Sequence, residues 1–389
     1  MPEPKLQIQL NRDLRRIVLR GEPWIYRDSI VQPPQLNQAQ LCQVIDRKKE
    51  FLGWAIYDPH SPLCLRFVSL EKKPPQFDLF QKRFEAAFRI RKNMNRFDTN
   101  SFRLFNGEGD LLPGLVCDVY DQVAVLQFDG QGANEFWDKP AVAKWLIDSK
   151  ACITVVEKLR RQSEGGLKIL AGTLDKNIVT VKENGVHFRV DLENGQKTGF
   201  FLDQRENRQY IREMSKGVSL LNLFSYSGGF SVYAGMGGAK KVSSVDMAQG
   251  AIDLANENWE LNGLDTGKHQ GVCADVFDFL KEDQEMWEHI IVDPPSMGHS
   301  EEHKNRARMK YIELFAAAAK RVKSQGQLSL SSCSSHISFT DFYEIITEAL
   351  SESRRRGQIL RVSGQGADHP FLHSSQKMQY LKFVHLILN

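Results

Sequence analysis

No stretch of this chain reads Gly-x-x-x-x-Gly-Lys-Ser/Thr, so the phosphate loop of nucleoside triphosphatases is absent. No glycine turn has the Gly-x-Gly-x-x-Gly spacing that seats a dinucleotide pyrophosphate on a helix N-terminus, which disfavours nicotinamide chemistry. Cysteine is sparse and scattered. Cys42, Cys64, Cys117, Cys152, Cys273 and Cys333 show neither paired metal-ligand spacing nor a disulfide framework, so reduced thiols and no metal site are expected. No apolar run reaches the roughly 20 residues that span a bilayer. The opening MPEPKLQIQLNRD has no apolar signal core, and a cytoplasmic protein without a membrane partner is expected. Charge of one sign is also scarce: 51 Lys and Arg against 48 Asp and Glu give a net +3, no overall footprint of a nucleic-acid binder. Internal repeats and low-complexity tracts are lacking.

What is present centres on Val218 to Asp246, VSLLNLFSYSGGFSVYAGMGGAKKVSSVD. Val218 to Phe224 is an apolar run of strand length, Ser225 to Gly229 a tight turn, and Phe230 to Gly237 a helix of small and apolar residues. Gly228 and Gly229 are expected to let the backbone approach a ligand that a Cβ would repel. Asp246 ends the next strand, Lys241 to Val245, and its carboxylate suits the two hydroxyls of a ribose. Further strand ends carry Asp275, placed for an adenine amino group, then Asp293 in VDPPS and Cys333 in SSCSS. Acids at successive strand ends, without dinucleotide or phosphate-loop glycines, point to S-adenosylmethionine as cofactor.

The 389 residues suffice for two or three domains. Residues 1–72 alternate apolar and polar positions in short runs separated by Pro and Gly, the pattern of a small β-barrel. Lys72 to Pro75 (KKPP) is a linker. Phe80, Phe84, Ala87, Phe88 and Met94 lie at helical spacing within Phe77 to Phe97, with the basic residues expected largely on the surface. Residues 73–190 form a middle α+β domain with a hairpin loop at Gly107 to Gly114, strands at Val123 to Phe128 and Val186 to Val190, and an exposed loop at Lys158 to Gly166. Residues 191–389 form the α/β domain that holds the cofactor cradle. Three basic groups, Lys82 to Arg96, Lys304 to Lys310 and Arg354 to Arg356, each read best as solvated helix faces, and together they allow an RNA footprint.

Several segments resemble the class I methyltransferases typified by the bacterial large-subunit (23S) ribosomal RNA 5-methylcytosine methyltransferase I. They are GEPWIY (Gly21 to Tyr26), GEGDLLPGLVCD (Gly107 to Asp118), QKTGFFLDQRENR (Gln196 to Arg208), NLFSYSGGF (Asn222 to Phe230), VDPP (Val292 to Pro295), SCS (Ser332 to Ser334) and ADHP (Ala367 to Pro370). The resemblance implies a Rossmann-like methyltransferase domain with a mixed, mostly parallel sheet, preceded by a PUA-type barrel that binds structured RNA. In that barrel Trp24, Tyr26, Trp54 and Tyr57 become candidate base contacts, although core or rim packing is the favoured reading for each. The partner implied is large-subunit ribosomal RNA, and a homodimer is left open. The cofactor-binding residues implied are Arg205, on the methionine carboxylate through paired hydrogen bonds, with Phe224, Ser225, Gly228, Gly229, Asp246, Asp275 and Asp293; Lys197 and Gln204 stand nearby.

For the reaction, Cys333 and Asp293 are the candidate catalytic pair. Cytosine C5 is too weak a nucleophile to attack a sulfonium methyl unless a thiolate first adds at C6, and Asp293 is placed to assist at N3. Ser296 and Met297 stand where an exocyclic-amine methyltransferase would carry a base-stacking aromatic, which disfavours amine methylation. The segment SMGHSEEHKNRARMK is similar to relatives that methylate guanine N7, so that base is the alternative target. A non-catalytic RNA-binding ribosome-assembly factor is the alternative of another class. His299, His303 and His336 are expected at the surface.

Overall fold

The computed structural model describes residues 6–92, 98–159, 166–297 and 304–389. Met94, Arg96, His299, His303 and residues 160–165 of the expected loop lie outside the described residues. The chain divides into two compact units: residues 1–181, 190–202 and 367–378 form the first, and 182–189, 203–366 and 379–389 the second. Residues 191–202 and 367–378, beyond the expected boundary at 190/191, thus lie in the first unit.

The first unit opens with β1 (Gln7–Gln9), α1 (Arg15–Leu19), β2 (Trp24–Tyr26), β3 (Gln40–Ile45), β4 (Phe51–Tyr57) and β5 (Leu63–Ser69), whose sheet order is β1-β3-β4-β5-β2. Its alternating runs turn Ile8, Leu10, Ile25, Val44, Ala55 and Leu65 into one apolar core. Next comes α2 (Phe77–Arg91), burying Phe80, Phe84 and Ala87 as the spacing required. A second sheet runs β10-β9-β8-β7-β6, formed by β6 (Ser101–Asn106), β7 (Leu115–Tyr120), β8 (Val123–Phe128), β9 (Thr154–Leu159) and β10 (Gly166–Ala171). Helices α3 (Gln131–Phe136) and α4 (Lys139–Asp148) lie between β8 and β9, and a hairpin of β11 (Ile178–Glu183) and β12 (Val186–Asp191) follows.

Two members of the first basic group are not surface charges. Arg91 is buried, donating to both carboxylate oxygens of Asp110 at 2.6 and 2.8 Å and to the Asp368 carbonyl at 2.7 Å. Arg83 donates to the carbonyls of Leu111 and Val68, each at 2.6 Å. Both correct the surface expectation in the same way: a long cation on α2 reaches the turn after β6, Arg91 at Asp110 and Arg83 at Leu111.

The second unit is a three-layer α/β structure. After α5 (Arg205–Glu213) come β13 (Ser219–Leu223), α6 (Gly229–Met236), β14 (Lys241–Asp246), α7 (Gln249–Leu261), β15 (His269–Cys273), α8 (Val276–Glu282) and β16 (Trp287–Val292). They are followed by α9 (Lys304–Lys320), β17 (Val322–Ser332), α10 (Phe339–Glu352), β18 (Gly357–Ser363) and β19 (Lys382–Leu388). The seven strands run β15-β14-β13-β16-β17-β19-β18, parallel except for the antiparallel pairs β17/β19 and β18/β19. Every residue of β13 is buried, as a central strand covered on both faces requires. Leu220, Val242, Ile291 and Phe383 pack with α5 to α7, whereas Leu221, Leu223, Ile290, Val292 and Leu330 pack with α8 to α10. The order of strands reverses between β13 and β16, which run parallel, so a crevice opens at their carboxyl ends. The other basic groups are partly consumed here. Arg308 pairs with Glu344 and Glu348, and Arg355 donates to the carbonyls of Ala319, Val322 and Lys323.

Two buried histidines sit mid-sheet. His289 of β16 and His385 of β19 share the hydroxyl of Ser329 at 2.9 and 2.8 Å. Burial holds both imidazoles neutral, His289 well below its ordinary range and His385 at about 4. In the unfolded chain both titrate near 6.5. The unfolded state therefore binds more protons once the pH drops below that value, and stability falls from about pH 6.5 down to about 4. Urea unfolding midpoints measured from pH 7.5 to 4.5 should decline over this window, and the slope should flatten in a His289→Asn/His385→Asn variant.

Candidate active site

The turn after β13 is built from strained backbone. Phe224 and Tyr226 adopt positive φ of 59° and 46°, and Gly228 follows at 75°. Bulky residues hold such angles only where the surroundings impose them. Here Ser225 N–H donates to the Val245 carbonyl at 3.0 Å, Tyr226 N–H donates to Asp246 Oδ2 at 2.9 Å, and Asn258 Nδ2 donates to the Ser227 carbonyl at 3.0 Å. Below the turn a polar ladder links β13, α6, β14 and β15: Asn222 Nδ2 donates to Ser231 Oγ at 2.9 Å, Ser231 meets Ser244 at 2.6 Å, and Ser244 meets His269 Nε2 at 2.8 Å.

Gly228 has a packing role of its own. A Cβ there would lie 2.8 Å from the Ala255 Cβ of α7, so this glycine also allows α7 to close on the turn. Gly229 is buried as the first residue of α6. Asp246 Oδ1 accepts from Ala248 N–H at 3.0 Å, so each carboxylate oxygen takes one backbone donor and keeps a lone pair. Asp275 is exposed and caps α8, its Oδ1 accepting from the N–H groups of Phe277 and Asp278 at 2.8 and 3.2 Å.

Does S-adenosylmethionine suit these residues? Ser225 is buried at the heart of the turn with its Oγ lacking any hydrogen-bond partner, a hydroxyl that a polar ligand would satisfy. The half-buried Asp246 and Phe224 flank it. Acceptors for ribose, an apolar ring and an orphan hydroxyl at one carboxyl-end crevice fit a nucleoside. Arg205 is buried as the first residue of α5, with Nη2 at 3.2 Å from Glu206 Oε1.

A second cluster gathers at the ends of β16 and β17. Gln204 Nε2 donates to Asp293 Oδ2 and to Ser331 Oγ, each at 3.0 Å, and Gln204 Oε1 accepts from Asn207 Nδ2 at 2.6 Å. Half-buried Cys333 follows β17 between two buried serines. Ser332 Oγ donates to the Tyr311 hydroxyl at 3.1 Å. Burial, with the charges of Cys333 and Asp293 adding to it, pushes that hydroxyl up to about 12, so Tyr311 stays protonated. Sequence reasoning missed Tyr311 and the bond by which Gln204 fixes Asp293. Tyr311 stands in an ordinary amphipathic helix, and only the FLDQREN motif hinted at Gln204.

The strand order, the strained glycine turn and the acids at the strand ends define an S-adenosylmethionine-dependent methyltransferase. The sequence model of the family described as S-adenosylmethionine-dependent methyltransferase matches residues 140–309, and that of the PUA-like domain matches residues 8–70. A ribosomal RNA large subunit methyltransferase I from Alteromonas mediterranea is 34% identical, with 96% of each chain covered. A ribosomal RNA large subunit methyltransferase from Deinococcus radiodurans is 34% identical over 98% of this chain and 97% of its own. Among solved structures, a Streptococcus mutans chain described as a SAM-dependent methyltransferase superposes with a TM-score of 0.87 at 26% identity, covering 98% of this chain and 100% of that one. Another, a methyltransferase complexed with SAH, gives 0.86 at 26% identity, covering 98% and 99%. The chain belongs to the ribosomal RNA large subunit methyltransferase I family.

Gly228→Ala should strain a left-handed position and drive a methyl group into α7. Isothermal titration should show S-adenosylhomocysteine affinity reduced by roughly tenfold or more, with a loss of about 1–3 kcal/mol in stability.

Proposed function

We propose that this chain forms 5-methylcytosine in large-subunit ribosomal RNA, with Cys333 as nucleophile and Asp293 as its partner at the base. The observation that supports the reading is the arrangement after two adjacent parallel strands: a half-buried, serine-flanked cysteine follows β17, and a carboxylate held by Gln204 follows β16. When bound, S-adenosylmethionine supplies a methyl group on positively charged sulfur. Asp246 would accept the ribose hydroxyls, Asp275 the adenine amino group through its Oδ2, and Arg205 would pair the methionine carboxylate. Phe224, Ser225, Gly228 and Gly229 would shape the turn against the nucleoside.

The Cys333 thiolate adds to C6 of the cytosine, forming a C–S bond and moving the C5–C6 electron pair onto C5, while Asp293 donates a hydrogen bond or its proton to N3. C5 then uses that pair to bond the methyl, whose bond to sulfur breaks with its electrons left on sulfur. Loss of the C5 proton to a base leaves the C5–H bonding pair to re-form the C5–C6 double bond and expel the thiolate, and N3 returns any proton to Asp293. Gln204 holds Asp293 in place, so it orients the carboxylate rather than touching the base. The target cytosine has to be unstacked to reach such a crevice.

For RNA binding the first unit offers a cleft of about 1320 Å³ lined by Arg12, Arg20, Tyr26 and Lys377, with exposed Ile17 and Leu19. Of the four candidate aromatics, Tyr57 is buried and donates to the Pro34 carbonyl, Trp54 donates to Lys72 and Trp24 to Glu108. Tyr26 is the exposed one, with Lys377 Nζ 5.6 Å from its ring centroid. A cationic rim with an exposed aromatic suits an RNA strand.

The decisive assay is transfer of labelled methyl to ribosomal RNA, followed by nucleoside analysis. Wild type should yield 5-methylcytosine and Cys333→Ala none; equal yields of a methylated guanine from both would move the assignment to guanine N7. Arg20→Glu/Lys377→Glu should raise KM for RNA roughly tenfold, leave kcat unchanged and make the log–log salt dependence of binding shallower by about 2.

A further inference from the structure

Lys382 is the first residue of β19 and pairs in register with Ser332, the residue before Cys333. It stands on the face of the strand that bears Val384, Leu386 and Leu388, toward the core beneath α9 and α10. Its side chain is buried, and Nζ donates to the Ser334 carbonyl at 2.6 Å and the Tyr380 carbonyl at 2.7 Å. Both acceptors are neutral. Among the described residues no carboxylate bonds to Nζ; Asp341 is taken by Lys304 at 3.1 Å and by Ser338. A buried ammonium without a bonded counter-charge is costly, and burial pulls this one down to about 8. The anion-forming groups that oppose the fall are the Cys333 thiol first and the Asp341 carboxylate second.

We propose that Lys382 is a positioning residue for Cys333: its ammonium clamps the Ser334 carbonyl, fixing the serine-cysteine-serine turn, and supplies the positive charge against which the thiolate forms. The proposal rests on the reading of Cys333 as nucleophile. The physical logic runs both ways. The thiolate is the counter-charge that the lysine lacks, and the lysine is the cation that a nucleophilic cysteine requires at neutral pH. The two groups then titrate as a coupled pair. The other titratable groups about the pair are Tyr311 from α9, Asp293 from the end of β16, Asp341 from α10 with its partner Lys304, and His336 in the same loop as Cys333.

The test is the pH dependence of iodoacetamide alkylation in the full-length protein, resolved by cysteine-containing peptide. Exposed Cys273 serves as the internal reference. In wild type, Cys333 should reach half-maximal rate at least about one pH unit below Cys273, a tenfold difference in thiolate fraction at fixed pH. Lys382→Met should raise the Cys333 midpoint by about one unit and leave Cys273 unmoved, whereas Lys382→Arg should keep it low; His336→Gln separates the loop imidazole. The acid limb of the kcat profile should move with the alkylation midpoint while S-adenosylhomocysteine affinity stays constant. Equal midpoints for Cys333 and Cys273 in wild type overturn the proposal, and so does a Cys333 midpoint indifferent to Lys382→Met. The wild-type comparison decides the matter even where the methionine variant fails to fold. If Cys333→Ala still makes 5-methylcytosine, the nucleophile assignment fails; if it abolishes product while Lys382→Met moves no midpoint, only the role of Lys382 does.

Discussion

The first unit depends on one buried guanidinium. All five donors of Arg91 are used: Nε on the Arg103 carbonyl at 3.0 Å, Nη1 on Asp110 and on the Ala87 carbonyl, and Nη2 on Asp110 and on the Asp368 carbonyl. A buried ion pair is seldom worth its desolvation unless the remaining hydrogen bonds are complete, and here they are. The network continues outward. Asp368 accepts from Arg103 N–H at 2.9 Å, the Arg103 guanidinium grips Asp118 at 2.6 and 2.9 Å, and Asp118 accepts from the Thr198 hydroxyl at 2.5 Å. Tyr120 then meets Thr198 at 2.9 Å. Residues from α2, the turn after β6, β7, the 190–202 segment and the 367–378 segment are thereby locked together, 277 positions apart at the widest.

That network gives physical meaning to segments whose role the sequence left undisclosed. GEGDLLPGLVCD, QKTGF and ADHP each supply polar residues to it, and Gly109 is needed because a Cβ there would lie 1.9 Å from the Pro370 carbonyl oxygen. They carried the resemblance, and this network is one reason that their polar residues are where they are. In the second unit Arg208, from the same long motif as Gln204 and Arg205, is likewise structural, paired through two hydrogen bonds with buried Glu183 at 2.8 and 2.7 Å. One motif therefore mixes a scaffold arginine with a residue that orients a candidate catalytic carboxylate.

Legibility followed the range of the interactions. Strands β8, β13 and β14, and helices α2 and α6 were readable because apolar periodicity and turn residues are local signals. The cradle was readable because parallel strands must end at a shared crevice, so acids at successive strand ends are visible in order. Arg83, Arg91 and Arg355 were misread as solvated because nothing local distinguishes a cation that will find a carboxylate or carbonyl across the fold. Lys382 was invisible for the same reason. It opens the apolar strand KFVHLIL, and the carbonyl that it clamps belongs to a residue 48 positions earlier.

Asp246 and Asp275 illustrate why a capping residue and a ligand-binding residue need not be alternatives. Each ionised carboxylate offers about four acceptor sites, and the backbone donors of the turn and of α8 take only two of them. The bonds already formed cost nothing further at the moment of binding, and they orient the remaining lone pairs. The same bonds sustain Phe224 and Tyr226 at positive φ, a strain of order 1–3 kcal/mol each that the isolated loop would relax. Under the proposed function Asp246 would therefore contribute twice: it holds the strained turn in one conformation, and it would present to a nucleoside acceptors whose direction the turn has fixed. Removing its carboxylate would release the loop as well as the acceptors, so the loss would exceed that of a ligand hydrogen bond alone.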